Sequence, residues 1–195
     1  MSNNYTHVKQ TQFTTELEHS YRIRKSSLPD VLTRVQSARA SLITQAWLRT
    51  ERRETEEGGA YIIRTRVREE EIIASGKTHW EYTTKIYHLN SNKEVETGEY
   101  PHGDFEVLKR TELTCEITQE EYRLMLKLYP NAKKVTKCRV KVLDKSTGLW
   151  YDIDTVEGNE YAVVEVEFET EEQAKAYEIP SWIKDNIWED NHTDV

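Results

Sequence analysis

The sequence predicts an α+β domain built on antiparallel strands, arranged as a sheet or a barrel. Three observations point there. Segments that alternate apolar and polar residues recur about eight times along the chain. Helical periodicity is confined to three short stretches, so no regular crossover helices join the strands. The seven glycines form neither G-x-G-x-x-G nor G-x-x-x-x-G-K, which removes the doubly wound nucleotide-binding folds.

The elements follow in order. Residues 14–24 alternate as a strand, after a polar and loose stretch over 1–12. Ser27-Leu28-Pro29-Asp30 opens a short helix with Val31, Leu32 and Val35 on one face. Strands are expected at 41–49, 61–69 and 79–89, with a charged turn over 51–59 and a polar loop over 90–103. Another strand spans 107–117. Thr118 and Glu121 then form a capping box for a helix that Pro130 stops. Residues 134–143 and 149–156 form a hairpin around Lys145-Ser146-Thr147-Gly148, and 161–169 is the last strand. Thr170 and Gln173 cap a third helix, which ends before Pro180. The acidic tail 189–195 reads as unstructured.

Charge occupies one parity of strand after strand. Glu16 and Glu18 flank Leu17, and Arg64, Arg66 and Arg68 oppose Ile63 and Val67. Arg110, Glu112 and Glu116 oppose Leu113 and Cys115. Lys137, Arg139 and Lys141 oppose Cys138, Val140 and Val142. Asp152 and Asp154 oppose Tyr151 and Ile153, and Glu165, Glu167 and Glu169 oppose Val164, Val166 and Phe168. A solvated sheet face explains any one of these strands. Six of them exceed what solvation requires, because Asp, Glu and Lys are depleted in strands. The charges are also segregated by sign, with three acids of one parity on one strand and three bases on another. If the sheet closes, these faces line a polar lumen that must hold something. Clustered Arg and Lys suit a polyphosphate, and carboxylates suit the Mg²⁺ or Mn²⁺ that bridges to it.

Composition excludes other classes. The formal net charge of -8 argues against sequence-independent DNA binding. No apolar run reaches the roughly 18 residues of a membrane span, and the start lacks a signal-peptide apolar region. Two cysteines, Cys115 and Cys138, without a C-x-x-C motif read as reduced thiols of a cytoplasmic protein. Six scattered histidines give no zinc pattern, and no G-x-S-x-G elbow is present. The five tryptophans read as core or rim packing, and His19 as an outward residue.

The stretch Val163-Val164-Glu165-Val166-Glu167-Phe168-Glu169-Thr170-Glu171-Glu172-Gln173-Ala174 resembles the E-V-E-F-x-[ST]-E-x-x-A segment of the CYTH superfamily, the triphosphate tunnel metalloenzymes. Pro180-Ser181-Trp182 follows where that family has a Pro and an aromatic residue. Gln45-Ala46-Trp47-Leu48 resembles its Q-x-Y-L strand. Arg66-Val67-Arg68 resembles its R-x-R strand, with Arg64 as the other register. Lys85, Arg110-Thr111-Glu112, Lys137-Cys138-Arg139 and Asp154 with Gly158 resemble its later strands in order. The resemblance runs from about residue 14 to 188, and it treats 1–195 as a single tunnel domain.

What this implies is an eight-stranded antiparallel β-barrel with short flanking helices, hydrolysing a triphosphate in a metal-dependent reaction. Arg64, Arg66, Arg68, Lys85, Arg110, Lys137 and Arg139 would bind the triphosphate. Glu16, Glu18, Glu112, Asp154, Glu165 and Glu167 would hold Mg²⁺ or Mn²⁺. Glu18, Lys85 and Arg139 would be catalytic. The implied partner is a small molecule bearing a triphosphate (inorganic, nucleoside or thiamine), with no DNA and no membrane. A homodimer is the assembly to test for. The family's Glu-x-Glu-x-Lys motif reads Glu16-Leu17-Glu18-His19-Ser20 here, so a serine replaces its lysine. The alternatives are therefore a nucleotide- or polyphosphate-binding protein with weakened catalysis, or a class IV adenylyl cyclase.

Overall fold

A computed structural model describes residues 12–56, 59–89 and 108–188. The first strand, β1 (Gln12–Arg24), leads through a 3-10 turn (Lys25–Ser27) into α1 (Leu28–Arg34). Then come β2 (Gln36–Glu54), β3 (Ala60–Ile72), β4 (Lys77–Leu89) and β5 (Leu108–Glu116). Helix α2 (Gln119–Leu128) precedes β6 (Lys133–Asp144), β7 (Leu149–Val156) and β8 (Tyr161–Phe168). Two short helices follow, α3 (Glu171–Ala176) and α4 (Ser181–Lys184). The strands form a closed antiparallel barrel in the order β1-β5-β4-β3-β2-β6-β7-β8, with β8 returning to β1. Of the two sheet arrangements the sequence allows, the closed one forms, and closure removes the unpaired edges of an open sheet.

Local chemistry sets the boundaries. Thr118 Oγ1 accepts from the Glu121 amide at 3.2 Å, and the Glu121 carboxylate accepts from the Thr118 amide at 2.6 Å, so the capping box is complete. At α3, Thr170 Oγ1 accepts from the Gln173 amide at 3.1 Å, but Gln173 reaches back to the Glu169 amide instead. Gly148 has φ +71 at the β6–β7 turn, and its amide donates to Asp144 O at 2.8 Å. That left-handed backbone favours glycine.

Two expectations need correction. The strand expected at 41–49 runs from Gln36 to Glu54, so 51–54 is strand and not turn. There Arg53 and Arg52 donate to Glu51 at 3.0 Å and to Glu54 at 2.7 Å. These i,i+2 pairs share a strand face, so a run of charge is compatible with strand. A fourth helix, α4, forms beyond the three expected. The expected loop at 90–103 and the tail at 189–195 lie outside the described residues.

The main apolar core sits outside the barrel wall. Leu17, Tyr21 and Ile23 of β1, Tyr151 and Ile153 of β7, and Val164 and Val166 of β8 pack with Val31, Ala174, Trp182 and Ile183 of the helices. A second cluster places Ala46, Val67 and Ile117 with Tyr122 of α2. Each fully buried side chain of this size contributes roughly 1.5–3 kcal/mol. Trp182 Nε1 donates to Asp144 Oδ2 at 2.9 Å, which ties α4 to the β6–β7 turn. Because apolar residues of one parity pack outward, strand alternation turns the charged parity into the lumen.

Candidate functional site

The deepest acid, Glu18, comes from β1 and with Glu16 meets cations from β4 and β5. Arg110 and Glu18 are both buried, at 5% and 1% exposure. Arg110 makes a two-pronged pair with Glu18, its Nη2 donating to Oε2 at 2.8 Å, and its Nε donates to Glu16 at 2.6 Å. The register explains this, since Glu16 lies opposite Arg110 on the paired strand. Lys85 lies opposite Glu112, and its Nζ sits 2.7 Å from Glu112 and 3.6 Å from Glu16. Thr114 donates to Glu112 at 2.8 Å.

Across the lumen, β6, β7 and β8 build a matching cluster. Arg139 lies opposite Asp154, and its Nε and Nη2 donate to the two Asp154 oxygens at 2.7 and 2.6 Å. The same Nη2 donates to Glu165 at 3.0 Å, and Nη1 donates to Asp152. Lys137 donates to Asp154 as well. The third group lies on β2, β3 and β4. Arg66 donates to Gln45 Oε1 at 3.4 Å and stands 5.8 Å from the Trp47 ring centre. Arg64 stands 5.7 Å from the Tyr87 ring centre. Arg68 pairs with Glu81, and Arg39 pairs with Glu70.

Burial and neighbours set the ionisation of these groups. Burial pushes the Glu18 carboxyl up, to about 7, and Glu165 adds to this while Arg110 opposes it. Burial acts in the same direction on Glu112, but Lys85 outweighs it and holds that carboxyl at about 2. Asp154 is likewise held low by Arg139 and Lys137 against its burial. Lys85 is pushed down by burial and by Arg66 and Arg110. Lys137 is pushed down by burial and by Arg139.

The structure thus brings most of the expected residues to one lumen. Lys85, Arg110, Glu16, Glu18 and Glu112 share one cluster, and Lys137, Arg139, Asp154 and Glu165 share the other. Arg64, Arg66 and Arg68 line the wall on β3, where Arg66 acts electrostatically on Lys85 and Glu112 of the first cluster, Arg64 stands over Tyr87 and Arg68 pairs with Glu81. Glu167 is exposed, and it lies opposite Glu18 on the paired strand. Ser20 is exposed opposite Glu165, while Arg22, two residues on, stacks on Tyr161 at 4.5 Å. His19 points outward among Phe168 and Tyr177, at 5.2 and 5.6 Å between ring centres, and burial pushes its pKa down.

The donor chemistry suits Mg²⁺ or Mn²⁺, because the acids of β1 and β8 are hard oxygen donors on paired strands. Glu165 is close enough to raise the cost of ionising Glu18, which is the condition a divalent cation relieves. As the side chains stand, no group of three or more His, Cys, Asp or Glu among the described residues could hold an ion. Their oxygens face Arg110, Lys85 and Arg139 instead.

Several lumen residues were not singled out from sequence. Asp152 was recognised as charged but not assigned to the site, and it accepts from Arg139. Gln45 and Trp47 enter only through the Q-x-Y-L resemblance, with no role attached, and Tyr87 not at all, because all three are neutral and a search by charge passes over them. Their signal was parity, because Tyr87 follows Lys85 by two residues on β4.

No protein-family model matches the chain, and no curated protein matches it. The chain is similar to the PH1819 protein from Pyrococcus horikoshii OT3, with 17% identity over 82% of each chain and a TM-score of 0.49. It is similar to the inorganic triphosphatase NE1496, with 20% identity over 87% of this chain and 83% of that one, and a TM-score of 0.45. It is also similar to HpAC1 from Hippeastrum, described as a putative adenylyl cyclase with a dominant triphosphatase activity. That likeness has 15% identity over 82% of each chain and a TM-score of 0.43.

Proposed function

We propose that this chain is a metal-dependent triphosphatase that works inside its barrel. The observation that carries the reading is one lumen holding buried Arg66, Lys85 and Arg110 and half-buried Lys137 and Arg139 together with carboxylates of the opposite sign. An ordinary solvated sheet face would leave those cations in water. These cations now face the lumen's own carboxylates, and a polyphosphate has the charge and the hydrogen-bond acceptors to take that place. The resemblance of the β8 segment to the CYTH superfamily supports the same reading.

Glu16, Glu18, Glu165 and Glu167 would hold Mg²⁺ or Mn²⁺, which supplies phosphoryl polarisation and an activated water when bound. Glu112 and Asp154 belong to the same expected ligand set, and their contacts also suit them to hold Lys85, Lys137 and Arg139 in position. Arg110 and Arg139 would grip phosphate oxygens through paired N–H groups and stabilise charge on the departing phosphate. Lys85, held between Glu16 and Glu112, would supply a further point charge.

The test is phosphate release from tripolyphosphate, ATP and thiamine triphosphate with Mg²⁺ or Mn²⁺. Release that needs the metal and disappears in Glu165→Ala and Arg139→Ala is the expected result. A second reading, capture without turnover, is favoured by the Ser20 position, because Arg22 turns to Tyr161 instead of restoring the charge missing beside Glu165. It predicts thermal stabilisation by tripolyphosphate without release. A cyclase would yield cyclic AMP and pyrophosphate from ATP in the same assay.

A further inference from the structure

We propose that an apolar and aromatic collar beside the charged clusters is a nucleobase site, so that the substrate is a nucleoside triphosphate and not inorganic tripolyphosphate. The inference rests on the triphosphate reading above and names its substrate class. Every strand pair is antiparallel. One end of the barrel therefore collects the C-terminal ends of β1, β2, β4 and β7 with the N-terminal ends of the other four strands. Toward that end the chemistry of the lumen changes. The next side chain on the same strand face lies two residues away. There Gln45 gives way to Trp47, Lys85 to Tyr87, Lys137 to Val135, Asp154 to Val156 and Glu165 to Val163. Two residues in the opposite direction, charge continues at Arg139, Asp152 and Glu167.

The five collar side chains are half-buried, and neither outer core cluster includes them. Ser20, two residues past Glu18, completes the collar on β1 with a small, exposed side chain. An apolar collar next to a polyanion site suits an organic group attached to the phosphates. Its surroundings select the charge of that group. Arg66 stands 5.8 Å from the Trp47 ring centre and Arg64 5.7 Å from that of Tyr87. Arg22 stands 4.5 Å from the Tyr161 ring centre, one further step toward the mouth. A neutral planar base stacks on such aromatic and guanidinium faces. A cationic ring, such as the thiazolium of thiamine, meets like charge there. Two residues span about 7 Å along a strand, which leaves a sugar between the phosphates and the base.

The test is calorimetry at fixed free Mg²⁺ with probes that resist hydrolysis. These are a tripolyphosphate analogue with bridging nitrogens and the β,γ-imido analogues of ATP and of thiamine triphosphate. The ATP analogue should bind tenfold or more tighter than either of the others, on the scale of one stacked base. Trp47→Ala should remove that advantage while changing tripolyphosphate binding less than threefold. Val163→Ser is a smaller change in the same collar that should reduce the advantage several-fold, and it decides the matter if Trp47→Ala does not fold. Four results overturn the nucleobase site and leave the triphosphate reading intact. They are equal binding of the ATP and tripolyphosphate analogues, a thiamine analogue that binds as tightly as the ATP analogue, an advantage that persists in the foldable variant, or an equal loss for both analogues there. No binding of any analogue overturns the triphosphate reading and the base site with it.

Discussion

Glu112 shows how one side chain serves both stability and site. Lys85 holds its carboxyl at about 2, below the ordinary 4.5. The group therefore contributes stability that is complete above about 4.5 and fades as pH falls toward 2. Glu112→Gln should cost roughly 3 kcal/mol at pH 7, because it leaves Lys85 short of a buried partner. The deficit should narrow as the wild type is acidified, and urea melts at pH 7 and pH 3 measure it. A deficit that does not change with pH would contradict the assignment. Ser20→Lys tests the other end of the site. Its side chain would enter beside Glu165, and it should raise phosphate release about tenfold or more, on the scale of a single electrostatic contact in a transition state. No gain would mean that Ser20 is not what limits turnover. At this scale the charged residues were legible because period-two spacing reveals a shared face without any structure. Tyr87, Trp47 and Gln45 were not, because only the position of the barrel axis distinguishes a lumen aromatic or amide from a packed one.

Among the elements, β2 is the least legible from sequence. Its first part pairs with β6 and its last part with β3, over Gln36–Glu54. Residues 36–40 carry little apolar alternation, and 50–54 are almost wholly charged, so neither end resembles a strand. Pairing with long neighbours, not propensity, extends it. Helix α2 is the opposite case, since its capping box and its stop at Pro130 are both local signals. Thr118→Ala should cost about 1 kcal/mol in urea unfolding. The attachment of α4 was invisible locally, because it depends on Trp182 meeting Asp144 38 residues away in sequence. Trp182→Ala should cost about 3–5 kcal/mol, combining an aromatic cavity with the lost bond to buried Asp144. A loss below about 1 kcal/mol would contradict the place of α4 in the outer core.

For the molecule as a whole, the organising fact is an inverted partition. Apolar residues pack between the wall and the helices, and charge fills the barrel. Strand alternation made this readable as two faces, but only closure decides which face is enclosed. No helix among the described residues is long and apolar enough to cross a membrane. The most direct test of the central claim is a crystal structure with Mn²⁺ and the nitrogen-bridged tripolyphosphate analogue. The account predicts phosphates inside the barrel on Arg66, Lys85, Arg110, Lys137 and Arg139, with an anomalous Mn²⁺ peak beside Glu16, Glu18 and Glu165. An analogue bound only on the outer surface, or a lumen still closed by its own ion pairs at saturating ligand, would contradict it.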